Sequence, residues 1–252
     1  MSDRLSAEMR RLYGLADQPP ILGSGSLPLV DGAGRVRAMV LALQGPADWS
    51  ALSPVWRGVQ TDLDLPAPAI AVDGVDAYAL WFSLAEPVPL ADALSFLNGL
   101  RERFLVGVKP QRLILRPGEA ASAQTTPFIP AEQGDSGNWS AFVAPDLAAV
   151  FGDEPWLDVP PGFDAQADLL SRLACIKTAE FESALAQLKP TANSAVAATA
   201  PSNSSDSPRF ASAERWEDPR QFLRDVMNDC SVSLTLRIEA AKALIHDPRS
   251  RS

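Results

Sequence analysis

Ala69-Ile70-Ala71-Val72-Asp73-Gly74-Val75-Asp76-Ala77-Tyr78-Ala79-Leu80-Trp81-Phe82-Ser83-Leu84 is a pair of apolar runs joined by four turn residues. Aliphatic and aromatic side chains fill both runs, and Asp73-Gly74-Val75-Asp76 is too short for anything but a tight connection. Two strands, 69–72 and 77–84, are therefore expected. On the N-terminal side, Leu52, Val55, Trp56, Val59 and Leu63 recur at helical spacing, with Asp48 placed to cap them and Leu65-Pro66-Ala67-Pro68 to end them. Pro54 sits in or near the first turns and leaves the start of this helix open. Before it, residues 35–43 read as a strand bounded by Gly32, Gly34 and Gly45-Pro46. On the C-terminal side, Pro87 and Pro89 lead into a helix that turns Leu90, Leu94, Leu97 and Leu100 or Phe104 inward, and 112–115 closes the series as a strand. Strand, helix, strand, strand, helix, strand is the split βαβ order, which predicts a ferredoxin-like (βαββαβ) core in an α+β chain.

Extra elements flank that core. Leu5, Met9 and Leu12 predict a short amphipathic helix. A strand is expected at 125–129, a turn at 134–137, and a strand or extended segment at 138–143. Helices are expected at 145–151, 165–176 and 179–188, with Leu169, Leu170, Leu173 and Ile176 on one apolar face and Phe181, Leu185 and Leu188 on another. These make a body of residues 1–189. Residues 190–213 are rich in Ala, Ser, Thr, Asn and Pro with almost no large apolar side chain, a composition that cannot offset ordering entropy, so a disordered linker is expected. Residues 214–252 read as a helical hairpin. Asp218-Pro219 starts its first helix and Ser233 caps its second. Phe222 and Val226 line one helix and Ile238 and Ile245 the other, stripes too small to form a core alone, so these four residues are candidates for docking on a protein partner or another copy.

Composition narrows the function classes. The chain has 252 residues, 46% of them hydrophobic, enough for one substantial core. No apolar run approaches the roughly 20 residues that span a bilayer, and Met1-Ser2-Asp3-Arg4-Leu5 opens no signal-like apolar stretch. With two distant cysteines, Cys175 and Cys230, no disulfide framework is supported, and a cytoplasmic setting without membrane association is expected. Residues 1–190 carry 14 Lys and Arg against 23 Asp and Glu. An acidic body opposes non-specific nucleic-acid binding, which depends on neutralising phosphates. Arg35, Arg37, Arg57, Arg112 and Arg116 gather around the strand ends, where a solvated rim or a local basic patch would both fit.

The stretch from Leu65-Pro66-Ala67-Pro68 through Gly74 to Tyr78-Ala79-Leu80-Trp81-Phe82-Ser83-Leu84-Ala85-Glu86-Pro87-Val88 resembles a motif region of archaeo-eukaryotic primases and primase-polymerases. Members of that family often carry Leu-Pro-x-Pro, a Ser-Gly turn, and an aromatic-His-aliphatic-Trp strand ending in Glu-Pro-Val. Pro130-Ala131-Glu132-Gln133 followed by Gly137-Asn138-Trp139 is similar to a later segment of phage and plasmid members, so the resemblance covers about residues 35–145. The tail, from Phe222 to Asp229 and from Leu236 to Leu244, is weakly similar to helical segments of phage-encoded and terminase-associated proteins, which implies a link to a mobile element. Family polymerases place two Asp at alternate positions of the first strand to hold divalent metal, and a strand His against the nucleotide phosphate. Here those positions are Ala42, Gln44 and Ala79. Two-metal chemistry needs hard oxygen ligands, and alanine and a neutral amide supply none of that charge.

Other chemistry has little support. His246 is the only histidine, at a helix end, so no zinc spacing and no Ser–His or Cys–His pair arises. Gly23-Ser24-Gly25-Ser26 lacks the Lys-Ser/Thr ending of a phosphate loop. Asp62 and Asp64 have the spacing of a metal pair but fall at a helix end, while Asp153, Glu154 and Asp158 read as loop charges. The leading expectation is a non-enzymatic binding or assembly protein with no metal, no cofactor and no catalytic residue. One alternative is a nucleotide or single-stranded nucleic-acid binder contacting its ligand through Trp81, Arg112, Gln133, Asn138 and Trp139. Gln133 and Asn138 equally suit tying down their own turn, and Trp139 a core anchor. The other alternative is an active nucleotidyltransferase with carboxylates relocated to Asp62, Asp64, Asp73 or Asp76.

Overall fold

The computed structural model describes residues 3–15, 25–152 and 154–189. The expected linker, the tail with Phe222, Val226, Ile238 and Ile245, and the single His246 lie outside them. The described residues form an α+β structure: α1 (Asp3–Tyr13), β1 (Ser26–Pro28), β2 (Arg35–Gln44), α2 (Trp49–Thr61), β3 (Ala69–Val72), β4 (Ala77–Pro89), α3 (Leu90–Phe104), β5 (Leu113–Arg116), β6 (Thr125–Pro127), β7 (Ala141–Val143), α4 (Phe163–Ser171) and α5 (Thr178–Leu188). Five strands make one sheet in the order β5-β2-β4-β3-β7, and β1 pairs with β6 in a separate ribbon. Every neighbouring pair is antiparallel. Among the described residues no helix is long and apolar enough to cross a membrane.

Local chemistry explains the element ends. Asp48 caps α2 by accepting from the Ala51 N–H at 3.1 Å, which satisfies one of the orphan donors of the first turn. Gly58 lets α2 lie close to α3, since a Cβ there would stand 2.2 Å from the Phe104 ring. The Asp73-Gly74 turn follows from two requirements. One Asp73 oxygen accepts from the N–H groups of Val75, Asp76 and Ala77 at 2.9, 3.0 and 2.9 Å. Gly74 takes φ +87°, a left-handed conformation that favours glycine.

Strand alternation then sorts the side chains into two layers. On one face Met39, Leu41 and Leu43 of β2 and Tyr78, Leu80 and Phe82 of β4 pack against Leu52, Val55 and Val59 of α2, Phe96, Leu97 and Leu100 of α3, and Phe181 and Leu185 of α5. On the other, Ala38, Val40, Ala69, Ala71, Ala79 and Trp81 meet Leu5, Met9, Leu12 and Tyr13 of α1 and Ala167 and Leu170 of α4. Arginines hold the second layer down. Arg37 donates to the carbonyls of Gly14 and Arg11 at the end of α1, and Arg11 donates to those of Leu170 and Leu173 at the end of α4. Each satisfies carbonyls that a helix C-terminus leaves open.

Several boundaries differ from the pattern. The strand expected at 77–84 runs on to Pro89, because the register jumps from Ala38↔Ser83 to Val36↔Val88 and residues 84–87 bulge out of the ladder. Arg37 reaches Leu84 O there at 3.3 Å, and Ser83 and Ala85 bond instead to the backbone of Ile176. Ile176 is thereby a bridge residue, and the helix expected at 165–176 is Phe163–Ser171. The stretch expected as a helix at 145–151 makes only a 3₁₀ turn, Ala148–Phe151. The strand expected at 125–129 is Thr125–Pro127 and pairs with Ser26–Pro28, a strand that three residues of weak pattern do not announce. The last stretch of 138–143 forms β7, while Trp139 stands outside it in bridges to Leu157 and Glu132.

Candidate functional site

α1 and α4 leave part of the alanine face uncovered. In the central ladder Ala42 stands opposite Ala79, Gln44 opposite Ala77 and Val40 opposite Trp81. Above these small residues is a slot of about 170 Å³. Its apolar walls include Trp81, Ile114, Pro127 and Ile129, and its polar groups are Gln44, Asp73, Arg116, Thr126, Gln133 and Ser140. The 73–76 turn fits tightly beside it: a Cβ on Gly74 would stand 2.5 Å from Gln133 Cγ and 2.9 Å from Ser140 N.

Much of this polar capacity is already used. Ser140 Oγ accepts from the Ala131 N–H at 2.9 Å and lies 3.1 Å from Ala131 O. Gln133 Nε2 donates to Ala131 O at 3.2 Å, and Arg116 Nη1 donates to the carbonyls of Ser122 and Thr125. Asp73 Oδ1 is saturated by its three N–H donors. Burial pushes the Asp73 carboxyl above its usual range, against the pull of those same hydrogen bonds. Trp81 is 1% exposed, wedged edge-on to Tyr13 and Phe142 with ring centroids 5.1 and 5.7 Å away. Its Nε1 is buried without a hydrogen-bond partner among the described residues.

The residues singled out from sequence divide accordingly. Trp81 and Gln133 meet at the slot. Arg112 turns the other way and donates to Gln44 O at 2.9 Å and Pro46 O at 2.7 Å, tying the end of β2 to the approach to β5. Asn138 contributes backbone to its own turn, its carbonyl accepting from Gln133 N at 2.8 Å. Trp139 exchanges backbone hydrogen bonds with Leu157. Of the relocated carboxylates, only Asp73 lines the slot. Asp62 pairs with Arg103 at 3.3 Å, Asp64 occupies a left-handed turn position with φ 53°, and Asp76 is exposed. Among the described residues no three His, Cys, Asp or Glu side chains come together as a metal site would require. Arg116 was legible only as a rim cation, and Thr126 in β6 and Ser140 just before β7 were placed in extended segments with nothing to mark which face of the sheet they would reach.

No protein-family model matches the chain, and none of the curated proteins does. The slot's own chemistry is therefore the ground for a functional reading.

Proposed function

We propose that this chain is a non-catalytic binding or assembly protein on a ferredoxin-like scaffold of the kind primase-polymerases use. The scaffold reading is supported by the helix and strand order together with the antiparallel sequence β5-β2-β4-β3 within the sheet. The observation that carries the functional half is the pairing of Ala42 with Ala79 and of Gln44 with Ala77, on the face where the resemblance requires two metal-binding carboxylates and a histidine. The carboxylate that does line the slot, Asp73, spends one oxygen on its own turn. A single half-committed carboxylate is a poor clamp for two divalent ions. The burial of Trp81 counts against a stacking platform for bases, which weakens the nucleic-acid alternative. The assembly half rests on the sequence of the tail, whose stripes of Phe222, Val226, Ile238 and Ile245 need a surface to cover them.

The test is primer extension and unprimed synthesis by the purified full chain, with magnesium or manganese and all four nucleoside triphosphates. No incorporation above background is expected. Incorporation that Asp73→Ala abolishes would overturn the proposal.

A further inference from the structure

The slot combines apolar walls with polar groups gathered at one end. An apolar cavity of about 150 Å³ is enough for benzene, and this one, at about 170 Å³, has room for a six-membered ring with a small substituent. Its floor is Ala42, Ala77 and Ala79, whose side chains are single methyl groups, and Ile114, Pro127 and Ile129 wall it with aliphatic carbon. The polar groups at the Gln44–Ala77 end are unevenly matched. Asp73 Oδ2 makes no hydrogen bond among the described residues, and neither does the Gln44 side chain. Gln133 spends its Nε2 on Ala131 O, so its carbonyl oxygen remains. That end therefore offers an anionic acceptor, a neutral acceptor and one amide of either polarity, and it asks for N–H donors. The cation of the lining, Arg116, belongs to the residue pair Val40–Arg116, four residues along β2 from Gln44, and its Nη1 is taken up by the carbonyls of Ser122 and Thr125.

We propose that this slot binds a small aromatic amine or amidine, its ring lying over Ala42 and Ala79 and its N–H groups held by Asp73 and Gln133. A planar amidine can give one N–H to each acceptor, which is why it suits this end better than a carboxylate or an alcohol. The inference rests on reading the chain as a binding protein. Nucleotide incorporation would overturn that reading without entering this titration, and a silent titration would leave the incorporation result as it stands.

Calorimetric titration of the full chain with benzamidine, benzamide and benzoate tests it, with tryptophan fluorescence as a second readout because Trp81 lines the slot. Benzamidine should bind with a Kd of roughly 0.1–1 mM, the range a ligand of that size reaches. Benzamide should bind at least about tenfold more weakly, and benzoate not measurably. Asp73→Asn keeps an oxygen for the three turn N–H groups and should reduce benzamidine to the benzamide level, and Ala42→Leu should abolish both. If Ala42→Leu does not fold, Asp73→Asn alone decides the outcome. Absence of benzamidine binding at millimolar concentration overturns the proposal. So does binding that Asp73→Asn leaves unchanged, or that benzoate shares.

Discussion

The two faces of the five-stranded sheet come from the same strands and are built on opposite principles. One presents Met39, Leu41, Leu43, Leu80 and Phe82 to three helices and buries all five. The other presents Ala38, Ala42, Ala69, Ala71, Ala77 and Ala79, and it needs Trp81, Tyr13 and Phe142 to reach across the space that alanine leaves. Where those rings end, the slot begins. Large side chains set the stability of the first face, whereas the shape of the second depends on what packs over it.

The largest expected effect lies on the filled face. Phe96 is fully buried, with ring centroids 5.6 Å from Phe82 and 5.2 Å from Phe181. Phe96→Ala should cost about 3–5 kcal/mol in urea unfolding followed by near-ultraviolet circular dichroism. Trp81→Phe on the alanine face should stay within about 1.5 kcal/mol of the parent. The lost ring volume is offset by removal of a buried N–H whose unpaired state costs about 1–3 kcal/mol. Equal losses at the two sites would erase the contrast between the faces.

A smaller effect is expected at Asp48, which caps the helix lying on the filled face. Asp48→Ala should cost about 0.5–2 kcal/mol at pH 7. The hydrogen bond from the Ser50 hydroxyl, with help from the Ala51 N–H, holds this carboxyl below its usual range. Its folded-state value is lowered, so its contribution is complete above the ordinary carboxylate value near 3.9 and fades as pH falls through the lower folded value. Unfolding measured from pH 7 down to about pH 2 should bring the variant and the parent together.

The smallest effect, and of opposite sign in pH, is expected at Asp73 beside the slot. Burial raises its folded-state value, so ionising it costs stability as pH rises from the ordinary carboxylate value through the folded one. Asp73→Asn keeps the turn acceptor and removes that cost. It should be neutral or stabilising by less than about 1 kcal/mol at pH 7 and indistinguishable from the parent in acid. If stability falls at pH 7 in the variant, Asp73 is held by more than its turn, and the two faces treat their carboxylates alike.

Periodicity made much of this legible. Leu52, Val55 and Val59 announced one face of α2, and Leu5, Met9 and Leu12 one face of α1. Alternation put Ala42 and Gln44 on one side of β2, and Ala77, Ala79 and Trp81 on the matching side of β4, which is where the ladder pairs them. The same reasoning left open where Arg112 and Trp139 would sit, because strand and turn patterns say nothing about which carbonyl a guanidinium will find or which loop a tryptophan backbone will bridge. It also missed β1, too short to show alternation, and the bulge at 84–87, which depends on Ile176 arriving from far along the chain.

Sequence by itself determined the order of helices and strands from β2 to β5, the turn at Asp73-Gly74, and the small side chains on one sheet face, since each follows from φ/ψ preference and spacing within a few residues. Tertiary structure alone decided how that face is covered. α1 and α4 are held together by contacts between residues more than 150 positions apart, such as Arg4 with Asp168 at 2.6 Å and Arg11 with Leu170 O at 2.9 Å. They bury Trp81 and stop short of Ala42, so the slot exists only because two distant helices meet over part of the sheet and not all of it. No local pattern carries that boundary, because a cavity is the space that separate segments leave between them.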